Sequence, residues 1–358
     1  MSGLNRQQVG QLAGPRLFFL LELALFLTVQ LIAWVALLFV WAPANGAFAG
    51  AQTYAASFLV AFGASLLAAS IASTFSSSVS RGGETQAPSA RPLTRVPRGT
   101  GESAKASAAG AVGDLLKVAR VGRGDLLGQL RDAAILLFVV FLPLDLALYL
   151  FPGFLDYSVE ALANSSTGTY LQLTSFSTFL LASFLTHSFV ALQEEWTFRA
   201  FAFRRGAWHA GVPSALVVTA LFFGGGHFNY YFAHPDAGLV APLTWGASAF
   251  AVGLVLCQYV ATKGHLLPVV VAHAANNVVS TVTLWNHMNA GGILPVVYWV
   301  YLPGFVVGGL LCVAFRAKVR VGLGALAGNL KQFFRQHPFA LVLDLAVAAA
   351  AWLLSALI

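Results

Sequence analysis

Residues 170–203 read YLQLTSFSTFLLASFLTHSFVALQEEWTFRAFAF. The stretch is long and apolar enough for a membrane-spanning helix, which takes about 20 residues. Yet it contains Glu194, Glu195 and Arg199. An ionisable group at a bilayer centre costs roughly 2.5–3.5 kcal/mol or more, so one found there defaults to a functional hypothesis. Glu195 and Arg199 stand four apart, a spacing that lets them face each other on a helix and pair. Glu194, roughly 100° further round the helix, is then left to point into a cavity. The bland reading of the same residues is a pair of interfacial charges near a helix end, since Arg204 and Arg205 follow closely.

Two further polar clusters lie in apolar surroundings downstream. Phe223-Gly-Gly-Gly-His227 puts an imidazole after three glycines. Gly224, Gly225 and Gly226 remove side-chain bulk, which permits a close helix crossing or the approach of a substrate backbone. His273-Ala-Ala-Asn-Asn277 puts His273 and Asn277 on one helical face, four apart. Two neutral donors aimed at one point suit a developing oxyanion; an interhelical polar contact is the plainer alternative. Asn276 points elsewhere and reads as packing. At about 1.5 Å rise per residue, Glu194 lies ~15 Å inward from Arg204, His227 ~21 Å from Pro213 and His273 ~12 Å from His265. The three therefore reach similar depths, at or somewhat cytoplasmic of the midplane.

The rest of the chain agrees with a membrane setting. Its 358 residues are 58% hydrophobic and only 9% charged, with mean hydropathy +0.77. A soluble domain carries about a quarter charged residues. The expected fold is all-α and polytopic, with about eight to nine transmembrane helices and a helical-bundle catalytic core. Approximate spans are 17–42, 54–76, 133–152, 170–203, 212–232, 241–261, 265–287, 292–315 and 338–357. The first run, from Leu17 to Trp41, is too long for a signal-peptide core and no small-residue cleavage site closes it, so it reads as a retained helix. The net charge of +7 invites a nucleic-acid partner, but the positions of the charges exclude that reading. With the N-terminus in the cytoplasm, all 20 Lys and Arg fall on the cytoplasmic side, while the opposite loops carry Asp156, Glu160 and Asp236. The basic balance reports topology. Cys257 and Cys312 both sit in apolar runs and read as packing residues.

Four units follow. Residues 1–76 form an N-terminal two-helix membrane unit. Residues 77–132 form a cytoplasmic linker, rich in Ser, Gly, Pro and Arg through Ala109, then an amphipathic helix from Gly110 to Leu130. That helix suits the surface of an anionic leaflet or packing on the protein. Residues 133–315 hold every motif. Residues 316–358 form a second amphipathic segment, Val321 to Phe334, and a last span. Asn164-Ser-Ser is a formal glycosylation sequon. Glu22, Asp145 and Asp344 lie within spans and are assigned structural roles. His187 reads as a core histidine or a support for the site, and His209, His234, His287 and His337 as loop residues.

Taken together, Glu194-Glu195…Arg199, Phe223…His227 and His273…Asn277 resemble the CAAX protease and bacteriocin-processing family of intramembrane glutamic proteases. Its pattern is EExxxR, FxxxH and HxxxN on separate transmembrane helices. The resemblance covers roughly 133–315; the first two spans, the linker and the last span lie outside it. It implies that Glu194 with His227 activates the hydrolytic water and that His273 with Asn277 stabilises the oxyanion. It further implies that Glu195 and Arg199 hold the local geometry, with Phe223 in support, and that a membrane-associated protein or peptide is the substrate. The chemistry requires no metal, because a carboxylate in a low-dielectric cavity is a competent general base near neutrality. Two alternatives stay open. Glu194, His227 and His273 make a His₂Glu set that suits catalytic zinc, although no HExxH is present and Asn277 then has no role. A non-enzymatic membrane scaffold or immunity protein is the other. A transporter is disfavoured, since no broken-helix pair or inverted repeat is apparent. Arg outnumbers Lys 15 to 5, which points to a high-GC bacterial genome and hence to a bacterial inner membrane. Within the family, eukaryotic members are linked to trimming prenylated proteins. Bacterial ones are linked to processing peptides, maturing leaders or trimming anchoring tails.

Overall fold

The structure, a computed structural model, describes residues 4–41, 46–79, 125–163, 168–233 and 238–356, with isolated positions at 110, 112, 113, 115, 116 and 236. The linker through Ala109, most of the amphipathic segment from Gly110, the sequon at Asn164 and the loop residue His234 lie outside the described residues. Among those described, every regular element is helical. We number the principal helices α1 (Arg6–Val40), α2 (Ala49–Val79), α3 (Leu126–Tyr149), α4 (Phe154–Ala163), α5 (Phe176–Ala210) and α6 (Val212–Phe228). They continue as α7 (Val240–Lys263), α8 (Leu267–Ala290), α9 (Leu294–Ala314), α10 (Arg316–Phe334) and α11 (Pro338–Ala356).

Eight of them are at least 18 residues long and apolar enough to cross a membrane: α1, α2, α3, α5, α7, α8, α9 and α11. The chain is an integral, multi-pass, all-α membrane protein. α6 has 17 residues, still enough for a short crossing. It lies inside the bundle, with ten of its residues buried from Ser214 to Gly224. α3 begins at Leu126 rather than near residue 133, because Leu126 to Asp132 continue the helix that the apolar run starts.

Local chemistry sets the turns. Asn5 and Gln8 form a reciprocal capping box at the start of α1. Gly211 joins α5 to α6 at φ +87°, and Pro213 follows in the first turn of α6. Gly264 ends α7 at φ +72°. Only glycine takes such angles without strain, so each neighbouring pair folds back on itself. The contacts confirm the directions. A Cβ built on Gly224 would lie 2.6 Å from the Gly246 carbonyl, and one on Gly253 3.1 Å from Ala220 Cα, so α6 and α7 run antiparallel. Ser183 meets Thr281 and Phe179 meets Trp285, so α5 and α8 do too.

Two buried ion pairs tie the outer helices to the middle ones. Arg16 Nε lies 2.6 Å from Asp344, and Ser214 Oγ donates to the same carboxylate. Glu22 meets Arg205 at 2.5 Å and His209 at 2.9 Å. These partners meet the cost of burying Glu22 and Asp344. They also place His209 in a helix with an acidic partner, not in a loop as the sequence reading had it. One apolar cluster includes Phe19 and Phe26 of α1, Ala61 of α2, Phe201 of α5, Val218 of α6 and Val347 of α11. The first two helices and the last therefore pack directly on the helices that carry the motifs.

Candidate functional site

The helix that carries Glu194 and Glu195 changes pitch at the motif. It is α-helical to Glu195 and π-helical from Trp196 to Phe203. π turns inside α-helices occur frequently at functional sites. Two more flank the same region: Leu136–Phe141 in α3 and Val297–Tyr301 in α9. The first ends at Phe141, whose ring stacks on His273 with centroids 5.6 Å apart. The second ends at Tyr301, which donates to Asp145 at 2.5 Å.

Glu195 and Arg199 pair as their spacing predicts, with Nη1 and Oε1 3.1 Å apart and both side chains fully buried. The contact is close in distance but off-line for a directed hydrogen bond. The guanidinium also lies 4.2 Å from the centre of the Phe223 ring, a cation–π contact. Phe223 in turn meets the His227 ring at 4.7 Å and the His273 ring at 6.2 Å. One aromatic side chain thus touches all three motifs.

The histidines are oriented through Nδ1. His227 Nδ1 lies 3.0 Å from the Phe223 carbonyl. A carbonyl only accepts, so this nitrogen carries the proton and Nε2 of the neutral ring is an acceptor. His273 Nδ1 lies 2.7 Å from Glu195 Oε1. His273 Nε2 faces Glu194 Oε2 at 3.6 Å. Sequence reasoning gave Glu195 a partner in Arg199 alone. Its second partner, His273, lies 78 residues away on another helix, where no local spacing reveals it.

Glu194, Phe223, Gly226, His227, His273 and Asn277 line one cavity of about 290 Å³. Glu194 keeps 23% of its side chain exposed there, against none for Glu195. The three glycines separate. A Cβ on Gly224 would meet the Gly246 carbonyl, and a Cβ on Gly225 would lie 2.7 Å from the Trp352 ring of α11. Both glycines are helix-packing positions, the close crossing that is one of the two readings of this run, and not substrate lining. At Gly226 a Cβ would meet nothing within 4 Å. Asn276, read as packing, lines the cavity as well, and its buried Oδ1 has no hydrogen-bond partner among the described residues. His187 also lines it, held by Tyr170 Oη at 2.7 Å.

The cavity has a second carboxylate, Asp145, which accepts from Tyr301 and from Ser280 at 3.1 Å. Tyr149 completes this cluster by bonding Ser280. Helices outside the motif region contribute too. Tyr54 of α2 lines the cavity, and Ser65 accepts from the Trp196 indole at 2.9 Å. Trp352 of α11 donates to Asn229 at 2.6 Å. Among the described residues no three His, Cys, Asp or Glu side chains converge closely enough to hold a metal ion.

Residues 176–279 match the family model described as Type II CAAX prenyl endopeptidase Rce1-like, a segment that holds all three motifs and supports the CAAX protease family. No curated protein and no solved structure gives a match.

Proposed function

We propose that this chain, whose residues 176–279 match an Rce1-like CAAX prenyl endopeptidase family model, hydrolyses a peptide bond of a membrane-anchored protein with Glu194 as general base. The family match over residues 176–279 and the eight apolar helices support a CAAX-type intramembrane endopeptidase. The glutamic mechanism rests on one observation: Glu194 is the motif carboxylate that lines the cavity, together with His227 and His273.

The tautomers support distinct roles. With its Nδ1 proton held by Glu195, a neutral His273 presents a lone pair at Nε2 toward the carboxylate of Glu194. Two lone pairs at 3.6 Å repel, so one proton belongs to that pair. In our reading it sits on His273. On either partner it leaves the set of Glu194, Glu195, Arg199 and His273 neutral overall, which lowers the cost of holding it in a membrane; on His273 it leaves Glu194 free to act as the base. His273 is in this form a cationic donor. Its Nε2–H and the Asn277 carboxamide together donate to the oxyanion. Glu194 removes a proton from water as its oxygen attacks the scissile carbonyl, and the acceptor Nε2 of His227 orients that water. The C–N bond then breaks, and the proton held by Glu194 passes to the leaving amine nitrogen. No step requires a metal. In this reading the protein resides in a bacterial inner membrane with its N-terminus in the cytoplasm, as the basic residues direct.

The same tautomers favour a second reading. Two imidazoles anchored through Nδ1 and one carboxylate match the donor types of a His₂Glu zinc site. Against it stands the failure of the three to converge.

The test compares cells carrying wild type and Glu194→Ala by profiling the termini of membrane proteins. The reading expects uncleaved precursors to accumulate in the variant at equal protein level. Identical profiles would overturn it.

A further inference from the structure

The candidate cavity extends toward one end of the bundle. The pairings above put the starts of α5 and α7 and the ends of α6 and α8 at one end. α3 and α8 run parallel, since Phe141 meets His273 and Asp145 meets Ser280. The end of α3 joins the same group. Beyond the motif residues, the lining continues to Leu148 and Tyr170, near the end of α3 and just before α5. It also takes in Tyr230, just past α6, and Trp245, in the second turn of α7. Tyr54, in the second turn of α2, lies with them. Toward the opposite ends, where Arg131, Arg204, Arg205 and Lys263 lie, the lining stops at Phe141 of α3, Phe198 of α5, Phe223 of α6, Val252 of α7 and His273 in the second turn of α8, and takes in none of these basic residues. Glu194, Phe198, Phe223 and His273 form the floor. The cavity also carries two carboxylates, Glu194 and Asp145, and no Lys or Arg.

We propose that substrate reaches Glu194 from the end of the bundle opposite the basic residues. The protein then cleaves membrane-anchored polypeptides at a site on the extracytoplasmic side. Lys and Arg mark the cytoplasmic end of a membrane protein, and the cavity leads away from it. The proposal rests on the reading of this cavity as the active site, but the route of access can be measured without turnover.

Single cysteines at Gly226 and Ser248 report on the cavity. A Cβ at Gly226 meets open space, and Ser248→Cys is nearly isosteric. Cys312 is replaced by Ser; Cys257, fully buried, is retained and checked as an unreactive parent. The probe is a small impermeant trimethylammonium thiosulfonate, whose positive charge suits the cavity. It is added to right-side-out and to inside-out membrane vesicles. Arg320→Cys, exposed on α10, marks the basic face. Gly226→Cys and Ser248→Cys should react in right-side-out vesicles at least ~10-fold faster than in inside-out ones, with Arg320→Cys showing the reverse. Reaction of the cavity cysteines from the Arg320→Cys face, from both faces equally, or from neither overturns the proposal. Two cavity positions guard against one misfolded variant, and monodispersity in detergent shows that each is folded. Loss of the glutamic mechanism, read by Glu194→Ala, leaves this labelling pattern unchanged, so the two failures are distinct.

Discussion

Glu195 Oε1 accepts a hydrogen bond from His273 Nδ1 at 2.7 Å, with both side chains buried, and so joins the first motif to the third. The second glutamate thereby does two things. It holds Arg199 beneath Phe223, and it fixes which imidazole nitrogen turns toward Glu194. A residue that seemed only to neutralise an arginine sets the tautomer of a candidate catalytic group.

The two glutamates should therefore fail differently. Glu194→Gln keeps the shape and removes the base, so cleavage should fall by at least ~10²-fold with little change in melting temperature. Glu195→Gln leaves Arg199 buried without its counter-charge, a loss of about 3–5 kcal/mol, and also weakens the hold on His273. Its melting temperature and its activity should fall together. Melting in detergent beside single-turnover cleavage decides; equal stability of the two variants would sink the assignment.

Asn277→Ala should lower the cleavage rate by roughly 10²–10³, the scale for one oxyanion donor, while substrate still binds, because that contact strengthens in the transition state. The shape of its pH–rate profile should stay as in wild type, since a carboxamide does not titrate. His227→Ala should also spare binding but change the profile. Loss of substrate binding at full turnover in Asn277→Ala would make Asn277 a binding residue.

The glycine run should split in a way its sequence does not foretell. Gly224→Ala and Gly225→Ala each drive a methyl group into a facing helix, so both should lower the melting temperature. Overpacking of this kind costs typically 1–3 kcal/mol. Gly226→Ala enters open space and should leave stability within about 0.5 kcal/mol, while narrowing the cavity beside His227. Equal destabilisation at all three positions would contradict the packing seen here.

Chelation separates the glutamic reading from the zinc alternative. Purified protein treated with a strong chelator should retain its proteolysis, and elemental analysis should find no stoichiometric zinc. Activity lost on chelation and restored by zinc would establish the metalloprotease reading instead.

Much of this protein follows from its sequence. The lengths of the apolar runs fix the helices, because the bilayer thickness sets how many residues a crossing takes. The i,i+4 spacing of Glu195 and Arg199 predicts their pairing, since one helix contains both groups. What the sequence leaves open lies between helices. Asn276 and Asn277 differ by one position, and both reach the cavity; Gly225 and Gly226 also differ by one, and only Gly226 does. Which side of a helix meets a neighbour depends on crossing angle and on pitch, and the π turn from Trp196 shifts that phase for every residue after Glu195. The link from Glu195 to His273, the place of Phe223 among the motifs and the contributions of Tyr54, Ser65 and Trp352 all arise where separate helices meet. Hydropathy and periodicity report each helix alone, so only the packed bundle decides these contacts.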